Sequence, residues 1–217
     1  MFRQSIFATA AVAALIGLSA CHDTGSNANK DVTNPGDSAA VNTVQDVAAG
    51  PVGLGSAVTA NTPEEFVNAA AMGDMYEIES GKIAAARAKR ADVKAFANMM
   101  IEHHTKTTAD LKKTLADNKI AIAPPAALDD RRAGMLNNLR AAGDADFDLA
   151  YLHQQVAAHL EALTLHGGYA DRGDNAALKA AAAKTKPVVQ SHLDELKKIG
   201  GDAVAAAIPG GSSGAPH

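Results

Sequence analysis

Tryptophan is missing from this chain, cysteine occurs once, and aromatic residues make up only 4% of it. A single cysteine excludes an internal disulfide framework. So few aromatics argue against a β-sandwich core and against a stacking platform for single-stranded nucleic acid. Basic charge is also in short supply: the net charge is −4, and no basic stripe exists to meet a phosphate backbone. No nucleic-acid partner is expected. Nucleotide-binding glycine loops and a His-Glu-x-x-His metalloprotease motif are lacking, so these common enzyme signatures give no lead. What remains is a 217-residue chain that is 47% hydrophobic, rich in alanine and poor in β-branched residues. Its length fits one ordinary domain, and its composition favours helices.

The one long apolar run lies at the start, from Ser5 to Ala20 behind a positive Arg3. It is short of the roughly 20 residues that span a bilayer and suits an export signal over residues 1–20. The run ends in Leu18-Ser19-Ala20-Cys21, which resembles the bacterial lipobox. That resemblance implies lipidation of Cys21 and a membrane partner reached through the lipid anchor. With about 0.8 kcal/mol for each buried methylene, several acyl chains hold a domain firmly on a bilayer. His22, rather than aspartate, follows the cysteine, so the expected location is the outer membrane, with the domain facing the periplasm.

Residues 21–61 are rich in Asn, Asp, Gly, Ser and Thr without a sustained period and read as a flexible tether. Residues 201–217, with Gly-Gly, Pro-Gly-Gly and Ser-Ser-Gly, read as a disordered tail. Residues 62–200 show helical periodicity throughout. Thr62, Pro63 and Glu65 form a helix start with a capping box, and that helix is predicted to reach about Arg90. A second helix carries Asp92 in its first turn and ends near Asn118, before Pro124-Pro125. A short helix from about Leu128 to Ala142 follows. Asp144 or Asp146 then caps a helix to about Asp171, and Asp174 or Asn175 caps a last one that ends at Gly200-Gly201 and kinks at Pro187. Two helical hairpins joined by a connection with its own short helix define the expected fold. It is all-α, a ferritin-like four-helix bundle with a short extra helix in the long crossover.

Each long helix has an apolar stripe at spacings of three and four, and each stripe carries a titratable residue near its middle. These are Glu77, His104, His159 and His192. Glu77 and His104 lie about equally far from their turn, whereas His159 and His192 miss one another by about five residues, or about 7 Å at 1.5 Å per residue. One carboxylate and three imidazoles inside a bundle suit zinc, copper or iron. A buried hydrogen-bond network that specifies the register of the helices accounts for the same pattern. His103 sits about 100° round the helix from His104, so Glu102-His103 reads as a solvated edge. His153 and His166 are candidates for a rim, and Met72, Met75, Met99 and Met100 for core filling.

Four stretches carry a wider resemblance: FVNAAAMGDMYEIESGKIAAARA, VKAFANMMIEHHTKTTADL, FDLAYLHQQVAAHLEAL and KTKPVVQSHLDELK. From about Thr62 to Ile199 the chain resembles the bacterial domain of unknown function 4142, a ferritin-like helical family of exported proteins. The resemblance implies the helical fold and places the family's glutamate at Glu77 and its histidines at His104, His159 and His192. In place of the family's usual aspartate before the second-helix histidine stands His103, so a carboxylate partner for His104 is either missing or replaced by Glu102. The residues three before the histidines are Ile101, Val156 and Val189, so the Glu-x-x-His pairs of carboxylate diiron bundles are missing.

Two functions follow as expectations. One is an envelope-anchored lipoprotein that binds a metal ion for stress protection, buffering or sensing. The other is a structural or interaction module with an envelope protein partner and a buried Glu/His network.

Overall fold

The computed structural model describes residues 39–205. Among these residues there are six helices and no strand: α1 (Ala39–Thr59), α2 (Pro63–Arg87), α3 (Ala91–Asp117), α4 (Asp130–Ala141), α5 (Phe147–Arg172) and α6 (Ala176–Ala205). The signal segment 1–20, Cys21 and the tail beyond 205 lie outside the described residues.

The helix ends follow their local chemistry. The Thr62 hydroxyl accepts from Glu65 N at 3.3 Å while the Glu65 carboxylate accepts from Thr62 N at 3.0 Å, which completes the predicted capping box. Asn175 Oδ1 caps α6 by accepting from Ala177 N and Leu178 N, both at 3.1 Å. Asp146 stands at the N-cap of α5 without a side-chain cap bond, and Asp144 instead meets Arg87 and Lys89. Asp148 of α5 accepts from the backbone N–H groups of Lys89 and Arg90 at 3.0 and 2.9 Å. It thus supplies from across the bundle the N-terminal cap that Arg90 cannot provide for α3.

Cross-helix contacts set the topology. Gly81 on α2 lies against Ala97 and Ile101 on α3, Tyr76 donates to Gln154 on α5 at 2.8 Å, and Phe66 stacks on Tyr169. His159 meets His192, and His103 meets His192. With Asp74 against His104, Gly167 against Lys186 and Asp110 against Lys184 as second levels, the residue numbers run oppositely in every helix pair, so each long helix is antiparallel to both neighbours. The chain must therefore climb back along the bundle between α3 and α5, and α4 makes that climb against α2 and α5. This is the two-hairpin bundle with one long crossover that the sequence predicts.

The expected tether does not hold over its second half, since Ala39–Thr59 is helical and docks beside α5 and α4. Its docked face is Asn42, Ala49, Gly53, Ala57 and Ala60, small or polar residues at helical spacing, so no hydrophobic stripe announced it. Asp46 accepts from Asn138 at 2.8 Å and from Gln154 at 2.6 Å, and Arg131 donates to Ala49 O at 3.3 Å. Close approach explains Gly53: a Cβ there would come within 2.0 Å of Glu161 Oε2. That carboxylate is held by Arg131 and Arg132 of α4.

Two smaller corrections concern α6. Helical geometry continues through Pro187 and is left only at Gly201, with φ 57° and ψ −152°. Pro187 and Ala183 are both exposed, so water can take the carbonyl that the missing N–H leaves open. Beyond Gly201 the first residues of the expected tail form a further helical turn, where Val204 is buried against Gly200.

Candidate metal centre

The stripes predicted for the long helices turn inward almost as read. Phe66, Ala70, Glu77, Ser80 and Ala84 are buried on α2, and Val93, Ala97, Met100, His104, Leu111 and Leu115 on α3. On α5, Leu149 in the first turn stays 45% exposed. His159 and His192 are 1% exposed, Glu77 4% and His104 6%. The structure thus brings all four predicted residues into the bundle interior, one from each long helix. The five-residue mismatch expected for the second hairpin does not keep the two histidines apart: His159 Nε2 lies 3.1 Å from His192 Nδ1.

One nitrogen from each of His104, His159 and His192 lies within 4.8 Å of the others. In tetrahedral zinc, two nitrogens each about 2.0–2.1 Å from the ion stand about 3.4 Å apart. Closing the cluster around an ion therefore takes side-chain shifts of roughly 1 Å. Glu77 Oε1 stands 3.7 Å from His159 Nδ1, so the carboxylate adjoins the triad without bonding to it.

The surrounding hydrogen bonds fix which nitrogens carry the protons. Asp74 Oδ1 lies 2.8 Å from His104 Nδ1 and accepts the hydrogen bond of its N–H, leaving Nε2 as the ligating atom. Thr107 and Thr108 donate to the two oxygens of the same carboxylate at 2.8 and 3.0 Å, which holds Asp74 in place. Gln155 O can only accept, so His159 Nδ1 donates to it at 2.8 Å and His159 Nε2 keeps a lone pair. His192 Nδ1 then donates to that lone pair, and His192 Nε2 accepts from His103 Nδ1 at 2.8 Å. The direction of the whole histidine chain is set by one backbone carbonyl.

Burial governs the charges. It pushes Glu77 up to about 7, and the neighbouring His104 only partly offsets this. It pushes His159 down to about 3 and His192 to about 2, with nearby imidazoles adding to the effect, so both are neutral ligands at pH 7. Burial alone would also lower His104, but the Asp74 hydrogen bond and the charges of Glu77 and Asp74 outweigh it, and the net shift is upward.

Two of these groups have an unmet need. His104 Nε2 and Glu77 Oε2 are buried without a hydrogen-bond partner, and both residues line a cavity of about 40 Å3 between α2 and α5. An orphaned buried donor or acceptor costs about 1–3 kcal/mol, so such pairs call for an occupant. The donor set of three imidazoles and a carboxylate fits a borderline transition-metal ion; the 40 Å3 space is lined by Glu77 and His104 but not by His159 or His192, and it has room for one water.

Three expectations need correction. The carboxylate beside His104 is Asp74 on α2, one helical turn before Glu77, and not Glu102, which is exposed. The one sequence signal for Asp74 is its spacing of three from Glu77, which places the two on one face of α2. His103 is no solvated edge: half-buried, it stacks on His192 at 5.1 Å between ring centroids. Adjacent helix positions diverge by about 100°, but a ring as long as imidazole reaches the seam with α6 from either side. Of the two rim candidates, His153 is exposed, while His166 lines the interior. Met100 fills the core at 0% exposure.

Fold and site together define an all-α bundle with a buried Glu/His cluster at its centre. Residues 51–199 match the family model described as domain of unknown function DUF4142, and the chain belongs to that family. A search of curated proteins finds no match, and neither does one of solved structures.

Proposed function

We propose that this protein is an envelope-anchored lipoprotein whose bundle binds one transition-metal ion through Glu77, His104, His159 and His192, for metal buffering, sensing or protection under stress. The observation that carries the reading is the pair of buried atoms without partners, His104 Nε2 and Glu77 Oε2. A network whose purpose is register alone leaves no reason for them to stay unmet. Support comes also from the Asp74–His104 pair, the arrangement that orients metal-bound histidines in general. Zinc and copper suit three imidazoles and a carboxylate better than magnesium or calcium, which prefer oxygen alone.

The alternative is a structural module in which water fills the 40 Å3 cavity. The continuous hydrogen-bonded chain from His103 to Gln155 O favours it. Titration of the chelator-treated protein with zinc and copper separates the two. The metal reading expects one site that is abolished in the His104→Ala/His159→Ala double variant. Undiminished binding in that variant, or none in the native protein, contradicts it. Anchoring rests on the Leu-Ser-Ala-Cys motif and is tested apart: Cys21→Ser is expected to move the protein from the membrane fraction to the soluble one.

A further inference from the structure

A cavity of about 320 Å3 lies among the four long helices, beside the metal centre and distinct from the small space around Glu77. Ala70, Asp74, His166 and Thr185 line both spaces and form the wall between them. Phe66, Leu111 and Val188 give the larger cavity an apolar body. A dry cavity of about 150 Å3 accepts one benzene, and ligand pockets begin at roughly 300 Å3, so this space admits a molecule of one or two rings. Its wall already favours ring against ring, since the His166 ring stands edge-on to Phe66 with centroids 5.4 Å apart.

The polar groups narrow the class. Asp74 accepts from His104, Thr107 and Thr108 and has little left to offer. His166 differs: its Nδ1 is buried without any hydrogen-bond partner. Burial also lowers the basicity of the ring, to a pKa of about 4, which keeps it neutral and able to accept. Lys106 and Lys184 stand at the mouth and share Asp110 across the α3–α6 seam, at 2.7 and 3.4 Å. With Asp110 between them and Asp74 in the wall, the two lysines are balanced in charge, which suits a neutral molecule.

We infer that the cavity binds a hydroxylated aromatic molecule of one or two rings, packed on Phe66, Leu111 and Val188, with its hydroxyl donating to the imidazole of His166. This site does not depend on metal at Glu77 and the three other histidines.

The test uses the protein as isolated from the producing cell, titrated with 2-naphthol and, as the apolar control, naphthalene. Methyl NMR signals of Leu111 and Val188 report binding inside the cavity. Saturable shifts with 2-naphthol are expected. His166→Phe keeps an aromatic wall but removes the acceptor, and it should weaken 2-naphthol about fivefold, the worth of one hydrogen bond, while leaving naphthalene unchanged. Ala181→Leu, on the α6 wall, should fill the space and weaken both. No saturable shift at either methyl overturns the inference, as does equal binding of the two probes by the native protein. Undiminished 2-naphthol affinity in His166→Phe also overturns it, and that comparison stands even where Ala181→Leu fails to fold.

Discussion

Asp74 touches no proposed ligand position itself, yet it decides which nitrogen His104 presents. Asp74→Asn keeps the shape but weakens the hold on the Nδ1 proton, and changes to such outer partners typically cost 10–100-fold in metal affinity. Zinc titration of Asp74→Asn is therefore expected to show a site weakened by that factor, against complete loss in His104→Ala. Protons should accompany the metal as well. Glu77 holds its proton up to about pH 7, and His104 is shifted upward, so both must release protons to ligate. Affinity is then expected to rise with pH between about 6 and 8, and calorimetry in buffers of different ionisation enthalpy should reveal protons released. At this scale Glu77, His104, His159 and His192 were legible because each interrupts an apolar stripe. Asp74 and His103 were not, because their part in the site comes from contacts with α3 and α6 that no spacing within one helix encodes.

Among the elements, the four long helices announce themselves through stripes, and α2 and α6 through caps as well, whereas α1 does neither. Its docked face is built from Ala49, Gly53, Ala57 and Ala60 and from the polar contacts of Asp46, and this is compositionally the same as a linker. Periodic hydrophobicity finds helices that bury bulk, and it passes over those that bury small residues and charge pairs. Gly53→Val places carbon where the Glu161 carboxylate sits, and Arg131 and Arg132 hold that group firmly. The variant is expected to loosen α1 and leave the bundle folded, seen as faster hydrogen exchange over residues 39–59 with little change over α2, α3, α5 and α6. At the start of α2 the capping box predicts a conventional loss. Thr62→Ala should lower stability by about 1 kcal/mol in urea unfolding, since it removes the hydroxyl that accepts from Glu65 N and leaves only the backbone half of the capping box.

For the whole molecule, the buried cluster ties metal, pH and stability together. In the metal-free protein Glu77 has a folded pKa raised from 4.5 to about 7, so its contribution is present below about pH 4.5 and lost as pH rises through 7. His159 and His192 have folded values lowered from 6.5 to about 3 and about 2, so theirs is present above about pH 6.5 and lost as pH falls. The metal-free bundle should thus weaken on both flanks. Glu77→Gln is expected to relieve the alkaline flank only, and to be more stable than the native metal-free protein at pH 8 by on the order of 1–3 kcal/mol. Urea unfolding with chelator at pH 8 and pH 4.5 checks this, the difference vanishing at the lower pH. Metal should reverse the order, because the glutamine variant loses an anionic ligand.

The most direct test of the metal centre is the metal content of protein purified without chelators, combined with X-ray absorption at the edge of whatever metal is found. The account predicts near one zinc or copper per chain, held by imidazole nitrogens and one carboxylate oxygen at about 2.0–2.2 Å, and absent from the His104→Ala/His159→Ala variant. A well-folded native protein that carries no metal and takes up none when zinc or copper is added would contradict it.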